Sequence, residues 1–391
     1  MTEETPSDCA GDDSDEKPTL HDCGDIFRRF GQEYERTHEM TGVQRRVMRA
    51  VASCRTYTLG GHVGRCGSCG HEEISYNSCR DRHCPKCQGI NSRIWVAERK
   101  TELLPVQYFH LVFTLPSQFN DFALIDPRRF YGVLMDASSE SLLRMFRDVH
   151  GAVPAIVSVL HTWGSNMSLH PHVHMVVSGG GLDVSGSGWT STPDGFLLDV
   201  RDLSGRFRDT FARIFRRRFQ QHLEPAGVFE KDWVVFCRRP FAGAEKFVEY
   251  IGRYTHRSAI SNRRIRDFDH ETGAVSIEYK DYRSDDPDEI PELKTMELSA
   301  AEFIRRFLQH CLPRGFRKIR FYGIFAGKRR FANIARCRSI FNLPPLRKIE
   351  PEKPEQKTCE RCGGKLSFTG ELLPSGTTHI VFRNETWRLS A

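Results

Sequence analysis

Apolar positions along this 391-residue chain fall into two textures. Between 26 and 54 they recur at helical spacing, first as Ile26, Phe27, Phe30 and Tyr34, then as Val43, Val47, Ala50, Val51 and Cys54. Thr41 and Gln44, ahead of the second run, have the spacing of a capping box. A cysteine-rich segment fills 60–88 and a further helical pattern covers 92–104. From 106 onward strand-like runs bounded by turn residues take over, at 106–116, 155–163, 172–178 and 233–237. Helical patterns lie between and after them, near 127–148, 203–223, 243–256 and 299–311. This irregular interleaving, with no glycine fingerprint after a strand, predicts an α+β fold and not a doubly wound parallel sheet. The glycine-rich stretch 179–189 reads as a flexible loop, 281–293 as a polar connection, and the Pro-, Lys- and Glu-rich 348–357 as a linker.

Charge changes this picture. Lys and Arg number 57 against 50 Asp and Glu, a formal +7. The first 25 residues hold nine acids and only Lys17 as a base, so 26–391 carry 56 bases against 41 acids. A body near +15 favours a polyanionic partner, because clustered cations release counterions from a phosphate backbone. No run approaches the roughly 18–20 apolar residues of a membrane span, and the acidic start lacks a signal-peptide core. The expectation is therefore no membrane partner and a cytoplasmic, nucleoid-associated protein. There is no GxxxxGK[ST] loop, so an ATP-driven motor is not expected.

In a reducing compartment, thirteen cysteines point to metal before disulfides. Cys66-x2-Cys69 and Cys84-x2-Cys87, fourteen residues apart, predict one tetrahedral structural zinc site. The other reading is four buried thiols with no metal. Cys79 and His83 lie close enough in sequence to join this site, to build a second one, or to be surface residues. Cys359-x2-Cys362 is half a zinc site, with His379 as a nearby donor.

His172 and His174 stand at i, i+2, which in a strand places both imidazoles on one face. Two imidazoles on a rigid sheet can ligate a divalent cation and leave positions for phosphate oxygens; half-exposed strands also carry such pairs by chance. A third ligand would be His161, at the end of the preceding run, or His110. Tyr250 and Tyr254 stand one helical turn apart. A phenol can attack a phosphodiester and hold the strand end as an ester. Phe247, Tyr250, Ile251 and Tyr254 equally form an ordinary apolar helix face, but Arg253, His256, Arg257, Arg263, Arg264 and Arg266 surround the pair with cationic groups. The 203–223 pattern carries Arg206, Arg208, Arg213, Arg216, Arg217 and Arg218 around a phenylalanine stripe, either a DNA-tracking or a solvated face. In 313–323, Phe316, Phe321 and Tyr322 either stack on bases or pack in a core.

RHCPKCQ at 82–88, LHPHVHMVV at 169–177 and YIGRYTHRSAISN at 250–262, in that order, closely resemble the rolling-circle transposases of the IS-ninety-one type, two-tyrosine members of the HUH endonuclease superfamily. HLVFTLP at 110–116 and LPRGFRKIRFYG at 312–323 belong to the same resemblance, which runs from about 25 to about 335. It implies an N-terminal zinc-binding domain and a catalytic antiparallel RRM-like sheet with the histidine strand central and flanking helices. It also implies His172 and His174 as ligands of Mg2+ or Mn2+, a third histidine from the preceding strand (favouring His161), and Tyr250 and Tyr254 as nucleophiles. The activity implied is nicking and rejoining of single-stranded DNA at transposon ends through 5′-phosphotyrosine intermediates. Partners would be single-stranded DNA of the ends and target, and a host helicase or replication machinery. DNA contacts are expected from Arg253, Arg257, Arg216 and Arg217. The alternatives are a replication initiator or relaxase of the same chemistry, and a non-catalytic zinc-ribbon DNA-binding protein. The expected division is an acidic arm (1–24), a helical and zinc-binding domain (25–104), a nuclease domain (105–345) and a linker with a small tail (346–391).

Overall fold

The computed structural model describes residues 21–238, 252, 255, 257–281, 292–346, 357–374 and 380–381. Most of the acidic arm, Tyr250, Arg253, Tyr254 and His379 lie outside the described residues.

Helices α1 (Cys23–Thr37) and α2 (Gly42–Ser53) open the fold. The predicted capping box forms: Gln44 N–H donates to Thr41 Oγ1 at 3.2 Å, and Thr41 N–H donates to Gln44 Oε1 at 2.8 Å. A hairpin of β1 (Gly61–Cys66) and β2 (Glu72–Tyr76) leads to α3 (Gln88–Thr101). Strand β3 (Tyr108–Thr114), helices α4 (Asn120–Ile125) and α5 (Pro127–His150), and strands β4 (Ala152–Trp163), β5 (Leu169–Asp183) and β6 (Trp189–Ser191) follow. Next come α6 (Val200–Arg218), β7 (Val235–Arg238), β8 (Ile265–Phe268), β9 (Ala274–Asp281) and β10 (Glu292–Ser299). The described chain closes with α7 (Ala300–Leu308), β11 (Ile319–Gly323), α8 (Arg330–Ile340), β12 (Leu366–Leu372) and β13 (Ile380–Val381).

The central sheet is antiparallel, ordered β11-β4-β5-β3-β7 with β6 also on β5. Strand β5 sits in its middle and is buried along nearly its whole length, which is why residues 173–177 read as an apolar run broken only by His174. Its outer part corrects the loop expected at 179–189: the chain stays extended to Asp183 and returns as β6, with Gly180 at φ +140° where a Cβ would strike Thr190 O at 2.6 Å.

The two faces of this sheet differ. One packs Val173, Met175 and Val177 against α5 and α6, whose Phe130, Phe146, Phe207, Phe211 and Phe215 are fully buried. Each such phenylalanine contributes on the order of 1.5–3 kcal/mol of transfer free energy. The opposite face carries the histidines at one end. Toward the other end, Tyr108, Val157 and Val176 pack with Trp95 and Val96 of α3 and with Ile334 and Cys337 of α8.

Two features were not legible as domains. Strands β8, β9 and β10 form a separate sheet that, with α7, packs on α1 and α2; the Phe27 and Phe307 rings meet edge-on at 5.1 Å. Residues 265–281 and 292–308 thus pack with the N-terminal helices, although they were expected within one nuclease domain. The expected separate tail likewise joins the N-terminal module, because β12 pairs along β1 in a sheet ordered β13-β12-β1-β2. Among the described residues, no helix is long and apolar enough to cross a membrane.

Candidate metal and DNA-processing site

The register of β4 and β5 sets His161 opposite His172, and His174 follows two residues on, so three imidazoles emerge on one face. One ligand nitrogen from each lies within 4.8 Å of the other two, and all three residues are buried. His172 Nε2 and His174 Nε2 are 3.1 Å apart. Two nitrogens bound at about 2.1 Å and at right angles to one ion would stand about 3.0 Å apart, so the spacing suits two ligands on a shared cation. The residues present therefore fit a divalent ion.

Surrounding groups orient these rings. The Nδ1 of His172 lies 2.8 Å from the carbonyl of His170, so an Nδ1–H donated there leaves the Nε2 lone pair for an ion. His174 Nδ1 lies 2.9 Å from His110 Nε2, with the two rings stacked 7° from parallel. His110 is thus a positioning group behind His174, outside the three-histidine cluster. The His161 ring stacks on Trp163 with centroids 4.7 Å apart. Burial holds His172 down to about 3 and His174 well below the ordinary imidazole range, so both stay neutral and keep the lone pairs that ligation requires.

Near this face, the helical Gly252 accepts a hydrogen bond from Ser92 Oγ of α3 at 2.8 Å, and Thr255 Oγ1 donates to Gly252 O at 3.0 Å. Val96, which Gly252 approaches, belongs to the apolar group on the histidine face of the sheet. The cation of Arg257 acts on His174, adding to the effect of burial and of the neighbouring histidines. Lys318 Nζ donates to the Arg257 carbonyl at 3.2 Å, and burial lowers this amine to about 7. Lys318 was not singled out from sequence; a lone lysine in a basic stretch carries no signal of burial.

The cysteines are sorted differently from the expectation. Cys84 and Cys87 join Cys54 and Cys79, while Cys66 and Cys69 join Cys359 and Cys362. The expected quartet of Cys66, Cys69, Cys84 and Cys87 is therefore two separate half-sites. Each knuckle finds its partners through tertiary packing: Cys54 ends α2, whereas Cys359 and Cys362 precede β12, the partner of β1. In the first quartet Cys54 Sγ and Cys79 Sγ lie 3.5 and 3.6 Å from Cys87 Sγ. In the second, Cys66 Sγ is 3.5 Å from Cys362 Sγ, and Cys69 Sγ is 3.8 Å from Cys359 Sγ. Zinc bound by four thiolates at about 2.3 Å spaces its sulfurs about 3.8 Å apart, so both groups fit. Backbone N–H groups of Cys69 and then Ser68 pull the Cys66 thiol down to about 6. His83 joins neither quartet; its ring meets Asp81 Oδ1 at 2.9 Å and accepts from Leu312 N–H at 3.0 Å. Cys54 was read only as part of an apolar helix face.

The α6 arginines lie on the helix that covers the face away from the histidines. Arg216 forms a two-pronged pair with Glu224 at 2.9 and 2.8 Å, Arg206 pairs with Asp148, Arg213 with Glu140 and Arg218 with Asp136, while Arg217 is exposed. Arg216 and Arg217, expected to contact DNA, thus stand on the side of the sheet away from the three histidines. Phe316 is core, and the Tyr322 hydroxyl donates to Met135 O at 3.4 Å. The Arg99 and Arg330 guanidinium groups lie 5.4 and 4.1 Å from the centre of the Phe321 ring.

Residues 155–332 match the family model described as "Putative transposase", and residues 26–115 match the one described as "Transposase zinc-binding domain". The chain is 42% identical over 364 residues to "Putative transposase y4qJ" of Sinorhizobium fredii, covering 86% of this chain and 88% of that protein. It is 27% identical over 300 residues to "Transposase for insertion sequence element IS801" of Pseudomonas savastanoi pv. phaseolicola, covering 71% of this chain and 68% of that protein. No solved structure matches.

Proposed function

The chain belongs to the transposases of the IS-ninety-one type, with their N-terminal zinc-binding domain, and from that premise we propose a metal-dependent cleavage and rejoining of single-stranded DNA at transposon ends. The observation that carries this reading is the buried cluster of His161, His172 and His174 on the two central antiparallel strands. A Mg2+ or Mn2+ ion held by these nitrogens would polarise a non-bridging oxygen of the scissile phosphate. The protein's own part is to hold that site rigid: β4 and β5 fix the three rings, and His170 and His110 fix the orientation of two of them.

The nucleophiles in this proposal are Tyr250 and Tyr254, named from the sequence. One phenol oxygen bonds to the phosphorus while the bond from phosphorus to the 3′ oxygen breaks. The 5′ phosphate stays on the enzyme as a phosphotyrosine ester, and the departing oxygen takes a proton to become a free 3′ hydroxyl. Because the ester keeps the bond energy, a later hydroxyl can reverse the step, and the second tyrosine serves the other strand end. The places of Gly252 and Arg257 support this assignment, since Gly252 stands between the two tyrosines in sequence and meets Ser92 of α3, and the cation of Arg257, three residues after Tyr254, acts on His174. Strand separation would come from a host helicase or from supercoiling, and the zinc-bearing module would read the terminal DNA.

The experiment is to incubate the full-length protein and manganese with labelled single-stranded terminus DNA. A protein–DNA adduct that survives denaturant, and is lost in the Tyr250→Phe, Tyr254→Phe double variant, is expected. A wild-type protein that binds the DNA but never forms the adduct would overturn the proposal.

A further inference from the structure

The family match for zinc binding ends at residue 115, so it takes in Cys66 and Cys69 but neither Cys359 nor Cys362. We propose that these four cysteines form a second zinc site, separate from the Cys54 quartet, and that its ion clasps the C-terminal segment onto the N-terminal module. The assignment is independent of the DNA chemistry above.

Two knuckles approach each other here. In one, Gly70 N–H donates to Cys66 O at 3.0 Å, with Gly70 at φ +71°; in the other, Gly363 N–H donates to Cys359 O at 2.8 Å, with Gly363 at φ +72°. Two matching turns of this kind bring four thiols from two directions to one point, as a tetrahedral ion requires. The fit is close: a Cβ on Gly364 would stand 2.7 Å from Ser68 Oγ and 3.0 Å from Cys66 Sγ. Strand pairing continues the contact, with Cys66 opposite Leu366 and Gly61 opposite Leu372.

The surrounding module needs such a staple. The buried apolar cluster at the knuckles consists of Cys66, Cys359 and Leu366 alone among the described residues. A core that small does not offset the entropy of holding a distant chain end, and small modules in this position rely on a metal or cross-link. The transposase body is then an insertion between the two halves of one metal module. The two quartets also differ in access: Cys69 and Cys362 are exposed, whereas Cys54, Cys84 and Cys87 are buried. The clasp ion should therefore leave first.

Zinc would be counted by plasma mass spectrometry on the full-length protein purified under reducing conditions. Two ions per chain are expected, and a chromogenic chelator should remove them in two phases. The Cys359→Ser, Cys362→Ser variant should hold one ion, keep its far-ultraviolet circular dichroism, and lose the fast phase. Cobalt in place of zinc should give twice the thiolate charge-transfer absorption per chain in the wild type as in the variant. One ion per wild-type chain, a single release phase, or a disulfide joining Cys66 to Cys362 would overturn the proposal. The first two measurements need no variant, so a misfolded variant does not protect it.

Discussion

Gly252 stands between Tyr250 and Tyr254 in sequence and lies against α3, where Ser92 Oγ donates to its carbonyl. A methyl group there would meet Val96 Cγ2 at 2.1 Å, while Val96 Cβ is 3.6 Å away. Ordinary carbon–carbon contact lies near 3.5–4.0 Å, so in Gly252→Ala one element must withdraw by roughly 1.4 Å or more. Val96 has little freedom to turn aside, because a β-branched side chain in a helix keeps essentially one rotamer. Overpacking of this kind costs about 1–3 kcal/mol of stability. Displacing a reacting group by about 1 Å costs on the order of 100-fold in rate. Gly252→Ala is thus expected to form the manganese-dependent adduct about 100-fold more slowly and to lose about 1–3 kcal/mol of stability against urea while staying folded without denaturant. The compensating change is Val96→Ala, which removes Cγ2 and leaves the new methyl at ordinary distance from Cβ. The double variant should recover most of the lost rate. A Gly252→Ala protein with wild-type kinetics, or a double variant as slow as the single one, would refute this account of how the tyrosine segment is seated.

Removing the acceptor behind His174 by His110→Phe should weaken manganese activation about 10–100-fold, while His110→Asn keeps an acceptor and should restore much of it; titration of cleavage rate against manganese reads this out. His172→Ala with His174→Ala should abolish the adduct yet leave single-stranded DNA binding in a gel-shift assay within a few-fold, since the two substitutions remove no lysine or arginine. His310 predicts a pH effect. Burial lowers it from the ordinary 6.5 to about 4, with Nε2–H donating to Met167 O at 3.1 Å and Nδ1 accepting from Thr162 Oγ1 at 3.1 Å. Below pH 6.5 the unfolded chain binds a proton that the folded one refuses. Stability is therefore lost as pH falls from 6.5 toward 4, by about 1.4 kcal/mol per unit from this group. Urea midpoints across that window should fall less steeply in His310→Gln; an unchanged slope would sink the assignment.

The centre of the sheet was readable because β3, β4 and β5 are buried on both faces and so appear as largely apolar runs, with two histidines at period 2 on β5. His161 was readable as the third member because a short connection between two strands fixes which residues oppose each other, and His161 falls opposite His172. Strand β10 was not readable for the opposite reason: Glu292–Thr295 are all exposed, so no alternation of apolar and polar residues marks it. The outer end of β5 was lost because Gly179, Gly180 and Gly181 look like a loop, although each is there because a neighbouring strand leaves no room for a Cβ. Composition left the place of the α6 arginines open. The excess of cations is real, five of the six face a carboxylate, and the helix covers the face of the sheet away from the histidines.

The cysteine error has a physical source that applies to any chain with several knuckles. A Cys-x2-Cys spacing determines that two sulfurs can share an ion; it carries no information about which other pair completes the tetrahedron. Proximity in sequence favoured joining Cys66 and Cys69 to Cys84 and Cys87, because a short loop has a small closure cost. That cost grows only with the logarithm of loop length, so a partner nearly 300 residues away is penalised by merely a few kcal/mol more. A strand pairing such as β1 with β12, in which six registered residue pairs form, is enough to reverse the preference. Once β12 lies beside β1, Cys84 and Cys87 are free to close on Cys54 at the end of α2, which ties the cysteine-rich loop to the helices packed on β8, β9 and β10. The two ions then have different jobs: one fastens this helical layer, and the other fastens the end of the chain to its beginning.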